Sequence, residues 1–445
     1  MAQLDHTCPL DQRDQYKTKA TSKVISHVYH SRYGEPNNVP KVAQLQKLVL
    51  EDLRTNPRTI TAIETELDDF GDSCFLYAFL SFGASIHGFR QVRPVLIIDG
   101  THLSGKYKGV LLTASGQDAN FQVFPLAFAV VYGENDSAWV WFLTKVERII
   151  ADSTALTIIS DHHISLLKAK AIVFPKAHHG VCIVHIMRNV VSRYKSKGLA
   201  KLVCAAVFSF KRKDFNDNFG KIRQTNPACA KYLEDIGTAM WLRTYFLGNR
   251  YNLLTSNVAE QLNNALKKSR PSPIVELFMF IQRMLTRWFS GRRTKSSKHR
   301  GAVTPEVTAV IETHIRLTKG SKIANITDWS YQVKGVFGHS YTVALDNKVC
   351  SCKVFQKLKI PCGHALLVAD YVGLPHVQLV GDCYKTQSWK DMYSGVIYPE
   401  APFGELHIPP AIASLNLQPP NTRRPSGRPK DQRIPFTGEI QVSKI

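Results

Sequence analysis

The chain has 445 residues, of which 44% are hydrophobic, so it is long enough for two or three domains with a sizeable core. Its 57 lysines and arginines exceed its 35 acidic residues, and the formal net charge of +22 predicts a polyanionic partner, nucleic acid first. We expect no membrane span and no secretory leader, because the sequence lacks a run of about 18 apolar residues and begins with polar ones. These features predict a reduced protein of the nucleus, although a basic surface with no anionic partner is the alternative.

Five zones follow one another along the chain. We expect a helical region before the core at residues 1–90, because the stretch 42–53 has apolar residues on one face. Residues 91–290 alternate strand-like and helix-like segments and are interpreted as the core, with a Lys- and Arg-rich helical insertion at about 187–251. The remaining zones are a basic linker at 291–338, a zinc-binding module at 339–395 and a disordered, basic and proline-rich tail at 396–445.

The first predicted strand of the core ends in a carboxylate. Residues 95–99 form an apolar, β-branched run that ends at Asp99, which is typical of a buried central strand. Two more strands are predicted at 110–118 and 123–132. Because the connections between these strands are short, we expect them to be antiparallel neighbours.

A second apolar strand, at 156–161, also ends in a carboxylate, Asp161. It lies between helices predicted at 137–150 and 164–174, and a fifth strand is predicted at 180–185. The resulting order is three strands, helix, strand, helix, strand, which is the order of the ribonuclease-H-like fold. We therefore predict an α/β core with a mixed sheet.

The two strand-end carboxylates, Asp99 and Asp161, would lie together at one edge of such a sheet. Carboxylates that close repel each other unless a divalent cation relieves the repulsion, and two hard cations on carboxylate oxygens are common in phosphoryl transfer. A third acidic ligand is expected from a helix. Glu260 is the best candidate, since Ser256 or Asn257 can cap a helix that has Glu260 in its first turn. Taken singly, each carboxylate could instead be an ordinary strand-end or cap residue.

Two close pairs of potential metal ligands stand near the C-terminal end, with nine residues between the pairs. Structural Zn²⁺ prefers four tetrahedral cysteine and histidine ligands, so this spacing predicts a zinc site; four unrelated reduced residues are the alternative. A predicted strand at 341–345 leads into the site and a helix at 365–369 leads out of it. Such a ββα module resembles the SWIM zinc finger. The four residues are Cys350, Cys352, Cys362 and His364.

Several blocks of the core resemble the Mutator-like (MULE/MuDR) transposases of plants. The resemblance covers roughly residues 15–435, and the SWIM-type module follows the core in the order that is usual for this family. It implies a cut-and-paste DNA transposase in which Asp99, Asp161 and Glu260 form a D-D-E triad. The triad would hold two Mg²⁺ or Mn²⁺ ions for in-line attack on a phosphodiester. The blocks are residues 99–112, 124–135, 139–143, 159–161 and 255–264.

Cys182 and His185 stand at the CxxH position of the same family. On a strand, residues three apart point to opposite faces, so we do not expect this pair to ligate a second zinc together. We expect Cys182 and His185 to support the site instead, with His185 close to Asp161.

The resemblance leaves two classes of function open. The first is a Mutator-like transposase, either active or a truncated remnant, since complete members carry a longer N-terminal DNA-binding region. The second is a domesticated, non-catalytic nuclear regulator that binds zinc together with DNA or protein. The sequence also allows protein partners at the SWIM-type module and a homo-oligomer. A Gly-Arg-Pro stretch in the tail resembles an AT-hook, with a disordered basic tail as the equal alternative. Its candidate DNA-binding residues are Arg424, Arg428 and Lys430.

Overall fold

The computed structural model describes residues 55–67, 73–105, 109–161, 163–251 and 253–399. The helix predicted at 42–53 and the tail beyond residue 399 lie outside the described residues, and so do Arg424, Arg428 and Lys430. Within the described part of the chain, no helix is both long and apolar enough to cross a membrane.

A seven-stranded mixed sheet forms the centre of the core, in the spatial order β1-β2-β5-β4-β3-β6-β7. Strand β3 pairs antiparallel with β4 and parallel with β6, and β6 pairs parallel with β7. The predicted mixed α/β core is therefore confirmed. The strands are β1 (Ile60–Leu67), β2 (Ser73–Ser81), β3 (Val95–His102), β4 (Val110–Gln117), β5 (Val123–Val131), β6 (Thr157–Ser160) and β7 (His178–Val181).

The central strands are covered on both faces, which explains why they are continuously apolar. The first four residues of β3 are fully buried, and so is all of β5. Helix α9 lies against β3, β4 and β5. The helices of the core are α1 (Gly83–Phe89), α2 (Asp136–Glu147), α3 (Ile164–Val173), α9 (Asn257–Leu266) and α10 (Ile274–Lys298).

The N-terminal region is not helical throughout, and the prediction is wrong for β1 and β2. These two strands pair antiparallel, and β2 also pairs with β5, so they extend the sheet at one edge. Strand β2 carries aromatic residues at alternate positions, Phe75, Tyr77 and Phe79, all of which are buried. This period of two matches a strand and not a helix.

Five helices follow β7 and form what we call the helical segment, which begins at Ile183, ahead of the insertion predicted at about 187–251. They bury a hydrophobic cluster of their own, which includes Val203, Phe215 and Trp241. The chain then passes through residues 242–256, here called the return loop, to α9. The five helices are α4 (Ile183–Tyr194), α5 (Lys197–Phe208), α6 (Arg212–Thr225), α7 (Pro227–Asp235) and α8 (Thr238–Trp241).

The strand predicted at 180–185 is wrong beyond Val181, because β7 ends there and α4 begins at Ile183. The buried residues of α4 are Ile183, Ile186 and Val190, which follow a helical period. A short apolar run does not distinguish a buried strand from the start of a helix.

The basic stretch predicted as a linker is also structured, so that prediction is wrong. Helix α10 continues to Lys298, and its Arg292 donates hydrogen bonds to the carbonyl of Val123 and the hydroxyl of Tyr393 at 2.6 and 2.9 Å. Helix α11 (Pro305–Leu317) follows. The guanidinium group of Arg292 binds to the core, so the positive charge of this stretch does not indicate a solvent-exposed linker.

A second sheet, in the order β11-β10-β9-β8, forms the C-terminal module together with two helices. The strand predicted at 341–345 and the helix predicted at 365–369 are both present. The module includes two strands that precede the range predicted for it. Its elements are β8 (Lys322–Asn325), β9 (Ser330–Lys334), β10 (Ser340–Ala344), β11 (Val349–Cys350), α12 (Val354–Leu358) and α13 (Gly363–Val372).

The chain then returns to the core. The prediction of a disordered tail from residue 396 is therefore wrong for the last described residues. Tyr393 donates a hydrogen bond to the carboxylate of buried Asp118 at 2.8 Å. Ile397 is buried in the core, and the amide of Tyr398 donates to Asn56 at 2.8 Å. These contacts bind the two ends of the described chain to the same core.

Candidate active site and metal centre

Two of the predicted site residues lie side by side on neighbouring parallel strands, although β3 continues three residues beyond Asp99 instead of ending there. Asp99 is in β3, and Asp161 directly follows β6. Because Ile97 pairs with Ile159, the register sets Asp99 level with Asp161 on the neighbouring strand. Two carboxylates are thus fixed at one end of the sheet by backbone pairing.

Glu260 reaches the same region from the first turn of α9. Its charge contributes to the electrostatic environment of Asp99 across the sheet. Glu260 also accepts a hydrogen bond from Arg188 of α4 at 3.3 Å, in an ion pair whose side chains are each about one quarter exposed. Ser256 is the N-cap residue of α9, but its side chain does not cap the helix.

The pKa of Asp99 reports how crowded this end of the sheet is. Burial raises the pKa of Asp99 to about 7, assisted by the negative charges of Asp161, Glu260 and Glu134 and opposed by His185. Near neutral pH the site therefore resists full ionisation. A perturbation of this kind is typical of a functional site, and a bound cation would reverse it.

Sequence reasoning missed two side chains that lie against Asp99. Asn263, one turn after Glu260 on α9, donates a hydrogen bond from Nδ2 to Asp99 Oδ2 at 2.7 Å. Glu134 follows β5 and lies over β3, since its Oε1 would be 3.1 Å from a Cβ added at Gly100. A helical spacing of three from Glu260 was the available signal for Asn263. No sequence signal indicated Glu134, because its place over β3 depends on how the strands pair.

Cys182 and His185 lie at the start of a helix and not on a strand, which corrects the argument that they point to opposite faces. Cys182 is the N-cap residue of α4, and His185 follows in its first turn. The amide and the hydroxyl of Ser256 both donate to Cys182 Sγ, at 3.1 and 3.2 Å. The thiol therefore connects the beginning of the helical segment to the beginning of the helix that carries Glu260.

The same pair is electrostatically linked to the acidic residues. Burial raises the pKa of the Cys182 thiol, but hydrogen bonding to His185 and Ser256 outweighs burial and leaves this pKa below its ordinary value. Burial lowers the pKa of His185, but its interaction with Cys182, followed by the charges of Asp161 and Asp99, raises it to about 9. His185 is thus a cation at neutral pH that faces the two aspartates.

The C-terminal module brings the four predicted zinc ligands together. Their ligand atoms all lie within 4.8 Å of one another, and no other group of three or more potential ligands in the described ranges is that compact. Tetrahedral Zn–S and Zn–N bonds of about 2.3 and 2.0 Å would place a sulfur and a nitrogen about 3.5 Å apart. His364 Nδ1 lies 3.7 Å from Cys350 Sγ and 3.9 Å from Cys362 Sγ, so the quartet fits Zn²⁺.

Each ligand is placed by a local element. Cys350 ends β11, Cys352 follows in the turn, and Cys362 is the N-cap residue of α13, which has His364 in its first turn. The three cysteines are buried, and the ring of Tyr341 stacks on that of His364 with centroids 4.0 Å apart. The module therefore has a small core built around the quartet.

Family models match both regions. Residues 95–189 match the MULE transposase domain, and residues 341–373 match the SWIM zinc finger. The chain thus contains a MULE transposase domain followed by a SWIM zinc finger, and the resemblance inferred from the sequence is confirmed. The first match runs from β3 into α4 and includes Asp99, Asp161, Cys182 and His185, whereas Glu260 lies beyond it.

Two curated proteins are similar to parts of the chain. Protein FAR1-RELATED SEQUENCE 6 of Arabidopsis thaliana is 30% identical over 96 residues, which is 22% of this chain and 14% of that protein. The transposase for insertion sequence element IS905 of Lactococcus lactis is 21% identical over 274 residues, which is 58% of this chain and 62% of that protein. The chain therefore spans less than two thirds of the length of either relative.

Loss of one zinc ligand should empty the metal site and unfold the C-terminal module locally. We expect Cys350→Ser or His364→Ala to release about one zinc ion per chain, because metal binding supplies much of the folding free energy of such small modules. Zinc content by mass spectrometry and limited proteolysis of the module are the measurements. Cys383→Ser, which removes a half-buried thiol outside the quartet, is the matched control. Equal zinc content in the ligand variants and the wild type would contradict the assignment.

The raised pKa of Asp99 predicts a pH-dependent cost in stability without divalent metal. Between its ordinary value of 3.8 and its folded value of about 7, the native state binds more protons than the unfolded chain, so the free energy of unfolding falls as pH rises. Asp99→Asn should therefore become increasingly more stable than the wild type between pH 5.5 and 7 and level off above. The melting temperature should rise by about 2–4 °C for each kcal/mol relieved.

Thermal unfolding of Asp99→Asn and wild type across this pH range, in buffer without added magnesium or manganese, is the measurement. Asp217→Asn, which changes an exposed aspartate on α6, should follow the wild type at every pH. A melting-temperature difference between Asp99→Asn and wild type that stays constant with pH would show that Asp99 is not electrostatically crowded.

Proposed function

We propose that the protein is a Mutator-like DNA transposase in which Asp99, Asp161 and Glu260 form a metal-dependent site for phosphodiester cleavage and strand transfer. The observation that carries the proposal is that Asp99 and Asp161 lie level on neighbouring parallel strands, and that the charges of Asp161 and Glu260 add to burial in raising the pKa of Asp99 to about 7. The MULE domain and the similarity to an insertion-element transposase support it.

The topology supports the same proposal. Strands β5, β4 and β3 are antiparallel neighbours, and β6 and β7 continue the sheet in parallel. This is the strand order that a ribonuclease-H-like fold requires, and we infer that the core has that fold. In this sheet Asp99 lies within β3 and Asp161 lies just after β6.

The residues at this end of the sheet fit hard divalent cations. All three proposed ligands offer carboxylate oxygens, which Mg²⁺ and Mn²⁺ prefer. Asn263 donates through Nδ2 to Asp99, and its Oδ1 is buried with no hydrogen-bond partner among the described residues. An orphaned buried oxygen beside a crowded carboxylate is costly, and a nearby cation would compensate it.

Asp99, Asp161 and Glu260 would hold two such ions, which would supply activation of a water or a 3′-hydroxyl and stabilisation of the leaving oxygen. The protein contributes position and charge. Backbone pairing of β3 with β6 holds Asp99 and Asp161 in place, and Asn263 fixes the orientation of Asp99. The imidazolium of His185 offsets part of the negative charge of the aspartates before metal arrives.

A second candidate function is a non-catalytic nuclear regulator that uses the same fold to bind DNA or protein. The ion pair between Arg188 and Glu260 favours it, because a carboxylate held by an arginine is less available to a metal. In the catalytic alternative, metal binding by Glu260 has to compete with Arg188. The two functions therefore differ in whether Glu260 can leave Arg188.

DNA is the proposed partner in both cases, in keeping with the formal net charge of +22, and the nucleus is the proposed compartment. Protein partners at the SWIM zinc finger and self-association of the chain are further proposals.

Nicking of supercoiled plasmid DNA by the purified full chain tests the catalytic proposal. Magnesium or manganese should be added to divalent-free buffer, since a chelator would also remove zinc from the Cys/His quartet. We expect metal-dependent nicking that Asp99→Asn, Asp161→Asn or Glu260→Gln each reduces at least about 100-fold, because each proposed ligand stabilises charge worth several kcal/mol. Asp217→Asn is the matched control and should nick like the wild type.

Metal-dependent nicking that survives all three substitutions would assign it to a contaminant and overturn the proposed triad. If no nicking occurs while zinc and DNA are both bound, the non-catalytic regulator is the better account.

A further inference from the structure

The return loop meets the C-terminal module at a crevice lined by basic side chains, here called the basic crevice. Arg243 and Arg250 come from the return loop, and Lys357 comes from α12. No acidic side chain is among the residues that line it. The others are Phe246, Gly248, Asn249 and Tyr251.

Arg243 is the least compensated charge in the basic crevice. It is only 7% exposed, and its Nε is buried with no hydrogen-bond partner among the described residues. Its guanidinium carbon lies 4.2 Å from the centroid of the Phe210 ring. Burial lowers the pKa of Arg243 to about 10, so it remains a cation at neutral pH. A buried cation without an anion is costly, and a bound anion would remove that cost.

Two lysines increase the positive charge around Arg243. Lys357 donates a hydrogen bond to the carbonyl of Phe246 at 3.3 Å, which joins the module to the return loop. Burial lowers the pKa of Lys357, and the positive charges of Arg243 and exposed Lys353 lower it further. Three positive charges, those of Arg243, Lys353 and Lys357, therefore lie near one another where the return loop meets the C-terminal module.

Arg250 differs from these three residues because its guanidinium is already satisfied. It donates to the carbonyls of Met240, Val181, Leu253 and Leu254 at 2.9–3.3 Å. The charges left without an anion are therefore Arg243 and Lys357, and exposed Lys353 is close enough to affect the pKa of Lys357.

The basic crevice is too narrow to enclose a phosphate. We propose that a backbone phosphate of duplex DNA binds at its mouth, where Lys357 and exposed Lys353 contact the phosphate and the nearly buried Arg243 adds positive charge. The choice of DNA rests on the proposed function, whereas the requirement for an anion rests on the uncompensated charges. Guanidinium and ammonium groups form strong charge-assisted hydrogen bonds with phosphate oxygens. Lys353 and Lys357 lie between zinc ligands Cys352 and Cys362 in the chain, so zinc binding would hold them in place.

Fluorescence anisotropy with a duplex DNA of arbitrary sequence, measured over a range of salt concentrations, tests the proposal on the full zinc-loaded chain. We expect Lys353→Gln combined with Lys357→Gln to weaken binding at least about 10-fold at low salt. The slope of log affinity against log salt should fall by about 2, because each lost phosphate contact removes about 0.9. Arg243→Gln should act in the same direction, and Arg243→Lys should retain part of the affinity.

The matched control is Lys201→Gln combined with Lys334→Gln, which removes two exposed lysines, one from α5 of the helical segment and one from β9 of the C-terminal module. Zinc content and circular dichroism identify any variant that fails to fold, and the lysine variants keep the test valid if Arg243→Gln does not fold. Equal loss of affinity in the control and crevice variants would overturn the proposal. A second outcome would also overturn the proposal. In it, inorganic phosphate raises the melting temperature of the wild type but not of the crevice variants, while the DNA affinity of these variants is unchanged, because the crevice would then bind only free phosphate.

The outcome is separable from that of the proposed catalytic site. DNA affinity is measured in buffer without added magnesium or manganese, and nicking is measured separately, so neither result depends on the other. If the crevice variants bind DNA more weakly and the wild type does not nick DNA, the basic crevice is upheld and the catalytic proposal is overturned. If the crevice variants bind DNA normally and the wild type nicks DNA, the catalytic proposal is upheld and the basic crevice is overturned.

Discussion

The parallel pairing of β3 with β6 is the constraint on which the rest of the site depends. Its register sets Asp99 level with Asp161. Because backbone hydrogen bonds fix this register, the two carboxylates cannot move apart to reduce their repulsion. The consequence is a pKa of about 7 for Asp99, raised first by burial and then by its acidic neighbours. Asn263 and the cationic His185 moderate this repulsion. The proposed divalent ions would remove it.

A second constraint joins the helical segment to the core at its two ends. Ser256 donates twice to Cys182, and Arg250 donates to the carbonyls of Val181 and Leu254. The chain therefore leaves the sheet and returns to it at almost the same place, where α4 and α9 both begin. This brings Arg188 of α4 to Glu260 of α9. The helical segment therefore supplies the arginine with which a metal ion would have to compete for the carboxylate of Glu260.

Sequence reasoning succeeds where the chemistry is local. The spacing of the four zinc ligands predicts their cluster, and apolar runs ending in carboxylates predict the strands that carry Asp99 and Asp161. It fails where tertiary packing decides, as when β7 stops at Val181 and α4 begins two residues later. The basic start of the predicted linker is helical, and its Arg292 donates to the carbonyl of Val123 in the core, a contact that composition does not reveal. Asn263 reaches Asp99 across 164 residues, a contact that only the folded sheet creates.

The most direct test of the central claim is anomalous X-ray diffraction from crystals of the zinc-loaded protein soaked in Mn²⁺. We expect manganese density bounded by Asp99, Asp161 and Glu260, with Glu260 released from Arg188, and separate zinc density at the Cys/His quartet. Manganese absent from the three carboxylates, with the ion pair between Arg188 and Glu260 intact and zinc in its own site, would contradict the account of a two-metal transposase centre.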